Sequence, residues 1–161
     1  MDIILQETYN GGDVLKKGND LAAVFGYENT IYQALFGGNP GHITPTTRVP
    51  KEQAFDWWGN KLFFPDNPSA WLNSLTENAL NTIELTSSGR VLIENAIKAD
   101  LEFLSPVAKV EVTTTIIATD RVDTIIKIIW NDKTANTIII NFRKPPDGDF
   151  WLMDFNDDFN V

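Results

Sequence analysis

An α+β fold, with an antiparallel β-meander packed against two to three helices and a short N-terminal β-hairpin, follows from the order of hydrophobic periods along this 161-residue chain. The first twenty-odd residues alternate in short runs broken by Gly-Asn turns. The middle carries apolar residues at helical spacing. After Pro106 the period changes from near 3.6 to 2, and β-branched residues dominate. A chain of this length fits one domain and can bury a core without metal or disulfide support. With 43% hydrophobic and 22% charged residues it has the makings of a folded globule.

Residues 2–8 alternate as a strand, with Ile3 and Leu5 on one side, and Asn10-Gly11-Gly12 supplies the positive φ angles of a tight turn. A second short strand passes through Val14 and Leu15 to another turn at Lys17-Gly18-Asn19-Asp20, before Leu21-Ala22-Ala23-Val24. Residues 29–36 then form an amphipathic helix, because Ile31/Leu35 and Tyr32/Phe36 fall at i, i+4; Gly37-Gly38 closes it. Asn67-Pro68 starts a second helix, as N-cap followed by proline at the first helical position, and Trp71, Leu72, Leu75, Ala79 and Leu80 form its buried stripe. A longer helix follows Thr86 or Ser88 as cap and runs to Leu104, before Ser105-Pro106. Its inward stripe is Ile93, Ile97, Leu101 and Leu104, with Ala96 beside it. Glu94, Lys98 and Glu102 lie four apart on the outer face, a solvated ladder contributing about 0.3 kcal/mol per pair.

Three strands are expected at 107–119, 122–131 and 137–143, joined by turns at 118–121 and 132–136. In the middle strand Ile126, Ile128 and Trp130 share one face and Ile125 and Ile129 the other. Both faces are apolar, so the strand is expected to be covered on both sides. The domain is read as residues 1–144. Residues 145–161 form an acidic aromatic tail, with Asp147, Asp149, Asp154, Asp157 and Asp158 and no base. Phe150, Trp151 and Phe155 are its anchors, either on its own domain or on a neighbour, since acids keep an exposed aromatic segment soluble until it binds.

Between the first two helices, some twenty residues with Pro40, Pro45 and Pro50 show no periodicity and end at Asp56-Trp57-Trp58-Gly59. A loop of that length in a compact domain is functional or held by a partner. Indole is large and costly to expose, so a loop with two of them either folds back onto its own core or meets another protein. Trp57 and Trp58 are the leading candidates for an interaction surface.

The chemical inventory is poor. The formal net charge is −9, with five of the excess negatives in the tail, so no clustered cations face a phosphate backbone and no nucleic-acid partner is expected. No apolar run approaches the roughly 20 residues of a membrane span, and Met1-Asp2 does not open a leader, so no membrane partner is expected either. The absence of cysteine excludes disulfides, cysteine zinc ligands and a cysteine nucleophile. The single histidine, His42, stands in the Gly-rich loop; no EF-hand or HExxH spacing exists, and no metal or cofactor is expected. No GxSxG, GxxxxGK[ST] or GxGxxG occurs, and Ser87, Ser88 and Ser105 read as helix-end residues. Glu52 and Asp56, flanking the aromatic loop, are the one acid pair with the character of a glycosidase, which needs one carboxyl with a raised pKa and another ionised.

The order of segments nevertheless has a pattern. A strand at 2–5, the turn Gly18-Asn19-Asp20-Leu21-Ala22, the helix at 30–36, Trp57-Trp58-Gly59, Ser69-Ala70-Trp71-Leu72, a helix and a β-branched meander follow one another. Over residues 1–144 the chain resembles the small baseplate wedge proteins of contractile-tailed, Mu-like phages, a family sometimes labelled lysozyme-like. Its most specific parts are the Gly-Asn-Asp-Leu-Ala turn and the Trp-Trp-Gly loop. There are two departures. The family pattern carries basic residues directly before the paired Trp, where this chain has Phe55-Asp56 and its nearest arginine, Arg48, as the remaining candidate for a contact there. The acidic tail lies outside the pattern.

The resemblance implies a non-enzymatic virion protein, made in the cytoplasm of a bacterial host and built into the tail baseplate. Its partners would be other wedge proteins and tail sheath or tube subunits, joined by protein contacts and by β-augmentation at a sheet edge. The alternatives are a peptidoglycan-cleaving glycosidase using Glu52 and Asp56, and an adaptor of a phage-tail-like injection system.

Overall fold

The computed structural model describes residues 27–37, 61–62, 65–67 and 74–143 with their side chains, and short strands within 2–24 and 151–157 as backbone. The short alternating runs at the N-terminus pair locally. β1 (Asp2–Ile3) pairs with β6 (Ala23–Val24), β2 (Leu5–Thr8) with β3 (Gly11–Val14), and β4 (Lys16–Lys17) with β5 (Asp20–Leu21), all antiparallel. Thr8 stands opposite Gly11, so Gly11 and Gly12, expected in a turn, belong to the strand. In the next pair Lys17 stands opposite Asp20.

Among the described strands the main sheet is antiparallel and comprises β7 (Ala108–Ala118), β8 (Arg121–Trp130), β9 (Ala135–Arg143) and β10 (Trp151–Asp157), in the order β10-β9-β8-β7. The first three are the expected meander. The fourth comes from the acidic segment, which pairs with β9 from Trp151↔Arg143 to Asp157↔Ile138, with a register shift between Leu152 and Asp154. Even-numbered positions of β7, β8 and β9 turn inward: Val112, Val122, Ile126, Ile128, Ile138, Ile140 and Phe142 are buried. Among them, the Thr114 and Thr124 hydroxyls pair across strands at 3.1 Å, which satisfies two polar groups the core would otherwise leave dry.

Two different turns join the meander. Thr119-Asp120 link β7 to β8 without a positive φ, and a bulge at Ile117 takes up the mismatch with strand twist. Between β8 and β9, Lys133 adopts φ 73°, the left-handed position of a three-residue turn. The Asp132 carboxylate, accepting from Thr134 N at 2.9 Å and Oγ1 at 2.6 Å, braces that turn.

Three helices cover the inner face. α1 (Glu28–Phe36) buries Ile31, Ala34 and Leu35, and the Phe36 ring reaches Phe142 of β9, centroids 6.0 Å apart. α2 (Leu75–Thr82) buries Thr76, Ala79 and Leu80. Its cap is Ser74, whose hydroxyl accepts from Glu77 N, and not Asn67, which is exposed and outside regular structure; residues 68–73 lie outside the described set. Leu75, expected in the buried stripe, is 38% exposed. α3 (Ser87–Asp100) is capped by Thr86, which accepts from Gly89 N at 3.1 Å, and ends at Asp100; Glu102–Leu104 tightens into a 3-10 turn. Ile93, Ile97, Leu101 and Leu104 form the inward stripe, each at most 1% exposed.

Burying one such side chain contributes on the order of 1.5–3 kcal/mol. The Arg90–Glu94 pair on the same helix, 2.7 Å long and half-exposed on the arginine side, contributes only a few tenths as an i, i+4 pair. The apolar stripe therefore decides which way α3 faces.

The loop before α3 packs so closely on Gly89 that a Cβ there would lie 2.0 Å from the Glu84 carbonyl oxygen and 2.9 Å from Ile83 Cγ2. Alanine in a helix gains up to about 1 kcal/mol over glycine, but overpacking against backbone costs roughly 1–3 kcal/mol. Gly89→Ala is therefore expected to lower the urea midpoint of the chain, and an unchanged or raised midpoint would contradict this packing.

Candidate interaction surface

The first turn of α2 is where all three helices meet. A helix begins with N–H groups that have no partner inside it. Here Leu75 N donates to Asp100 Oδ1 at 2.9 Å, Thr76 N to Asp100 Oδ2 at 2.7 Å, and Glu77 N to the Ser74 hydroxyl at 3.1 Å. The Thr76 hydroxyl also donates to Asp100 Oδ2, at 2.6 Å. The Ser74 hydroxyl in turn donates to the Leu35 carbonyl, one of the orphan acceptors at the end of α1. One carboxylate from the last residue of α3 and one hydroxyl thus join three helix ends. Burial pushes the Asp100 carboxyl up from 3.8 to about 6, against the hydrogen bonds from Thr76 and Leu75 that favour its ionised form.

A second carboxylate closes one border of the sheet. β7 is an outer strand, and an outer strand presents unpaired N–H groups. Thr114 N points away from β8 and donates to Glu94 Oε1 at 2.9 Å; the same oxygen accepts from Arg90 at 2.7 Å. Glu94 is thus no member of a solvated ladder: its side chain is only 13% exposed, held between its own helix and the strand.

The opposite border belongs to β10. Among the described strands it has one neighbour, β9. Leu152 stands opposite Phe142 and Phe155 opposite Ile140, both buried positions of β9, while Trp151 stands opposite Arg143. Arg143 donates to Asp120 at 3.0 Å, which offsets its position opposite Arg121.

The outer sheet face was expected to be covered. Among the described residues it is not: Ile117, Ile125 and Ile139 stay 41–52% exposed, between Lys109, Glu111, Arg121 and Lys127. The reason is local, since charged residues alternate with the isoleucines, so no broad apolar sheet forms.

Of the sequence-derived site residues, Arg48, Trp57, Trp58 and Phe150 lie outside the described residues, as do His42, Glu52 and Asp56. Trp151 and Phe155 fall on β10. Ser87 and Ser88 occupy the first turn of α3, and Ser105 ends the 3-10 turn. Among the described residues, no group of three or more His, Asp or Glu side chains is placed to hold a metal ion, and no helix is long and apolar enough to cross a membrane.

Sequence reading missed Ser74, Glu94 and Asp100. The first had a visible signal in Ser74-Leu75-Thr76-Glu77, the S-x-x-E pattern of a helix start. The other two act across elements and leave no local trace. No family model, curated protein or solved structure matches the chain.

Two outcomes follow from these carboxylates. Asp100 holds a proton in the folded chain between pH 3.8 and about 6 that it has lost in the unfolded one, so its contribution to stability falls as pH rises through that window. Against Asp100→Asn, the wild type should lose about 2–3 kcal/mol in urea unfolding between pH 4 and pH 7; a pH-independent difference would refute the burial argument. Glu94→Ala leaves the Thr114 N–H buried without an acceptor, costing roughly 1–3 kcal/mol, and amide exchange at Thr114 should accelerate while that of Ile126 follows only global stability.

Proposed function

We propose that this chain is a structural subunit of the baseplate wedge of a contractile phage tail, linking other wedge proteins to sheath or tube subunits without turning over a substrate. On this reading it resides in the virion and is made in the cytoplasm of a bacterial host. The observation that carries the proposal is the backbone pairing of residues 151–157 onto β9, at the border of an antiparallel sheet whose described helices lie on one face. Such a sheet offers a neighbour a row of hydrogen-bonding backbone, with strand register set by alternate side chains. The motif order around the Gly-Asn-Asp-Leu-Ala turn and the Trp-Trp-Gly loop supports the same reading. Trp57 and Trp58 would anchor the long loop, with Arg48 nearby in sequence, and Phe150, Trp151 and Phe155 the last segment.

The test is incorporation. Tail particles purified from cells encoding the chain should contain it, in fixed ratio to the other tail subunits, after washing in high salt. Trp57→Ala with Trp58→Ala should leave a folded monomer by circular dichroism yet remove it from the particles. Absence of the unaltered chain from washed particles, or cleavage of purified peptidoglycan that Glu52→Gln abolishes, would overturn the proposal.

A further inference from the structure

The outer face of the main sheet carries a charge pattern with a direction. Strand register sets Glu111, Lys127 and Thr137 in one row across β7, β8 and β9. Thr113, Ile125 and Ile139 form the next row, and Thr115, Asp123 and Asn141 the third. At the centre, Ile125 and Ile139 are 47% and 41% exposed. Two ion pairs on this side lie within the chain, Lys109 with Glu111 at 2.7 Å and Arg143 with Asp120 at 3.0 Å. Among the described residues, Asp123 and Lys127 have no ion-pair partner, and they flank Ile125 symmetrically on the same strand and face.

An acid and a base placed symmetrically about an apolar residue complement the same pattern turned end for end. Sheets packed face to face keep their strands within about 30° of each other. A twofold axis between two copies, perpendicular to the strands and passing over Ile125, lays β8 antiparallel on the partner's β8. Ile125 and Ile139 then each meet their counterparts, and Lys127 of each copy meets the partner's Asp123. Glu111 faces Thr115 and Thr137 faces Asn141. One row further out, Ile129 faces Arg121 and Ala135 faces Arg143, so no like charges stand opposite each other. An axis along the strands would instead set Lys127 on Lys127 and Asp123 on Asp123, which repulsion disfavours.

We infer that the outer sheet face is a self-complementary interface, on which a second copy of this chain packs antiparallel about Ile125 with Lys127 of each copy on the partner's Asp123. The contact is isologous, the commonest kind in soluble oligomers. Its apolar centre is narrow, which makes a weak dimer, populated at high micromolar concentration. The inference goes beyond the proposed function. It uses a face of the sheet and not its border, and it holds or fails whether or not the chain belongs to a tail.

The test is sedimentation equilibrium of the full chain from micromolar to millimolar concentration, with circular dichroism to check that each variant folds. The unaltered chain should pass from monomer to dimer in that range. Lys127→Asp and Asp123→Lys should each weaken association severalfold, and the two together, which keep the net charge at −9, should restore it. Asp123→Lys is the telling single change. It makes the chain less acidic, which by itself would ease repulsion between copies, yet here it should weaken the dimer. Ile125→Lys should abolish association. A chain that stays monomeric throughout, a dimer indifferent to both charge reversals, or a double variant no better than the single ones would each overturn the inference. Particle incorporation is measured separately. A chain found in particles but monomeric alone sinks this inference and spares the wedge reading, and a dimer that obeys the charge swap but is missing from particles does the reverse.

Discussion

The amino end of α2 is the constraint on which the helical layer depends. Three backbone N–H groups there have no partner within the helix, and the chain satisfies them with Asp100 from α3 and Ser74 from the preceding residue. Because the Ser74 hydroxyl also donates to Leu35, the end of α1, the start of α2 and the end of α3 are held at one point. Hydrophobic burial is non-directional: Ile31, Leu80, Ile93 and Ile97 would be satisfied by several arrangements over the sheet. The hydrogen bonds at α2 select one of them. The selection has a cost, visible in the raised pKa of Asp100, since burial strips water from the carboxylate that those hydrogen bonds hold.

From that layer the asymmetry of the sheet follows. With α3 fixed by its stripe and by Asp100, Glu94 comes to rest against β7 and caps Thr114. The helix therefore does two things at once, covering the inner face and closing a border. No corresponding element among the described residues reaches β10, so the sheet is closed at one side and extended at the other by residues 151–157.

Reading the sequence recovered what depends on period and on local punctuation. The α1 and α3 stripes, the meander strands and the Thr86 cap were legible because each is written within a dozen residues by spacing alone. The start of α2 was misplaced at Asn67, since Asn-Pro is a strong local signal and Ser74-x-x-Glu77 a quieter one. The inner face of β8 is covered as expected, whereas among the described residues nothing covers Ile125 on its outer face. The pattern Ile125, Lys127, Ile129 does not distinguish a buried strand from one whose outer face mixes isoleucine with charge. Of the candidate site, Trp151 and Phe155 fall on a strand that the sequence did not announce, because Trp-Leu-Met-Asp-Phe-Asn-Asp lacks the alternation that marks a half-buried strand.

By itself the sequence determined the class of fold, the helical and extended periods and the concentration of acid after Pro146, all of which are properties of composition and short-range spacing. Tertiary structure alone decided that Glu94 caps a strand and not water, that Asp100 ties three helices, and that the acidic segment adds to β9. Glu94 and Thr114 are 20 positions apart and Leu75 and Asp100 are 25, and hydrogen-bond partners at such distances are chosen only when packing has brought the elements together.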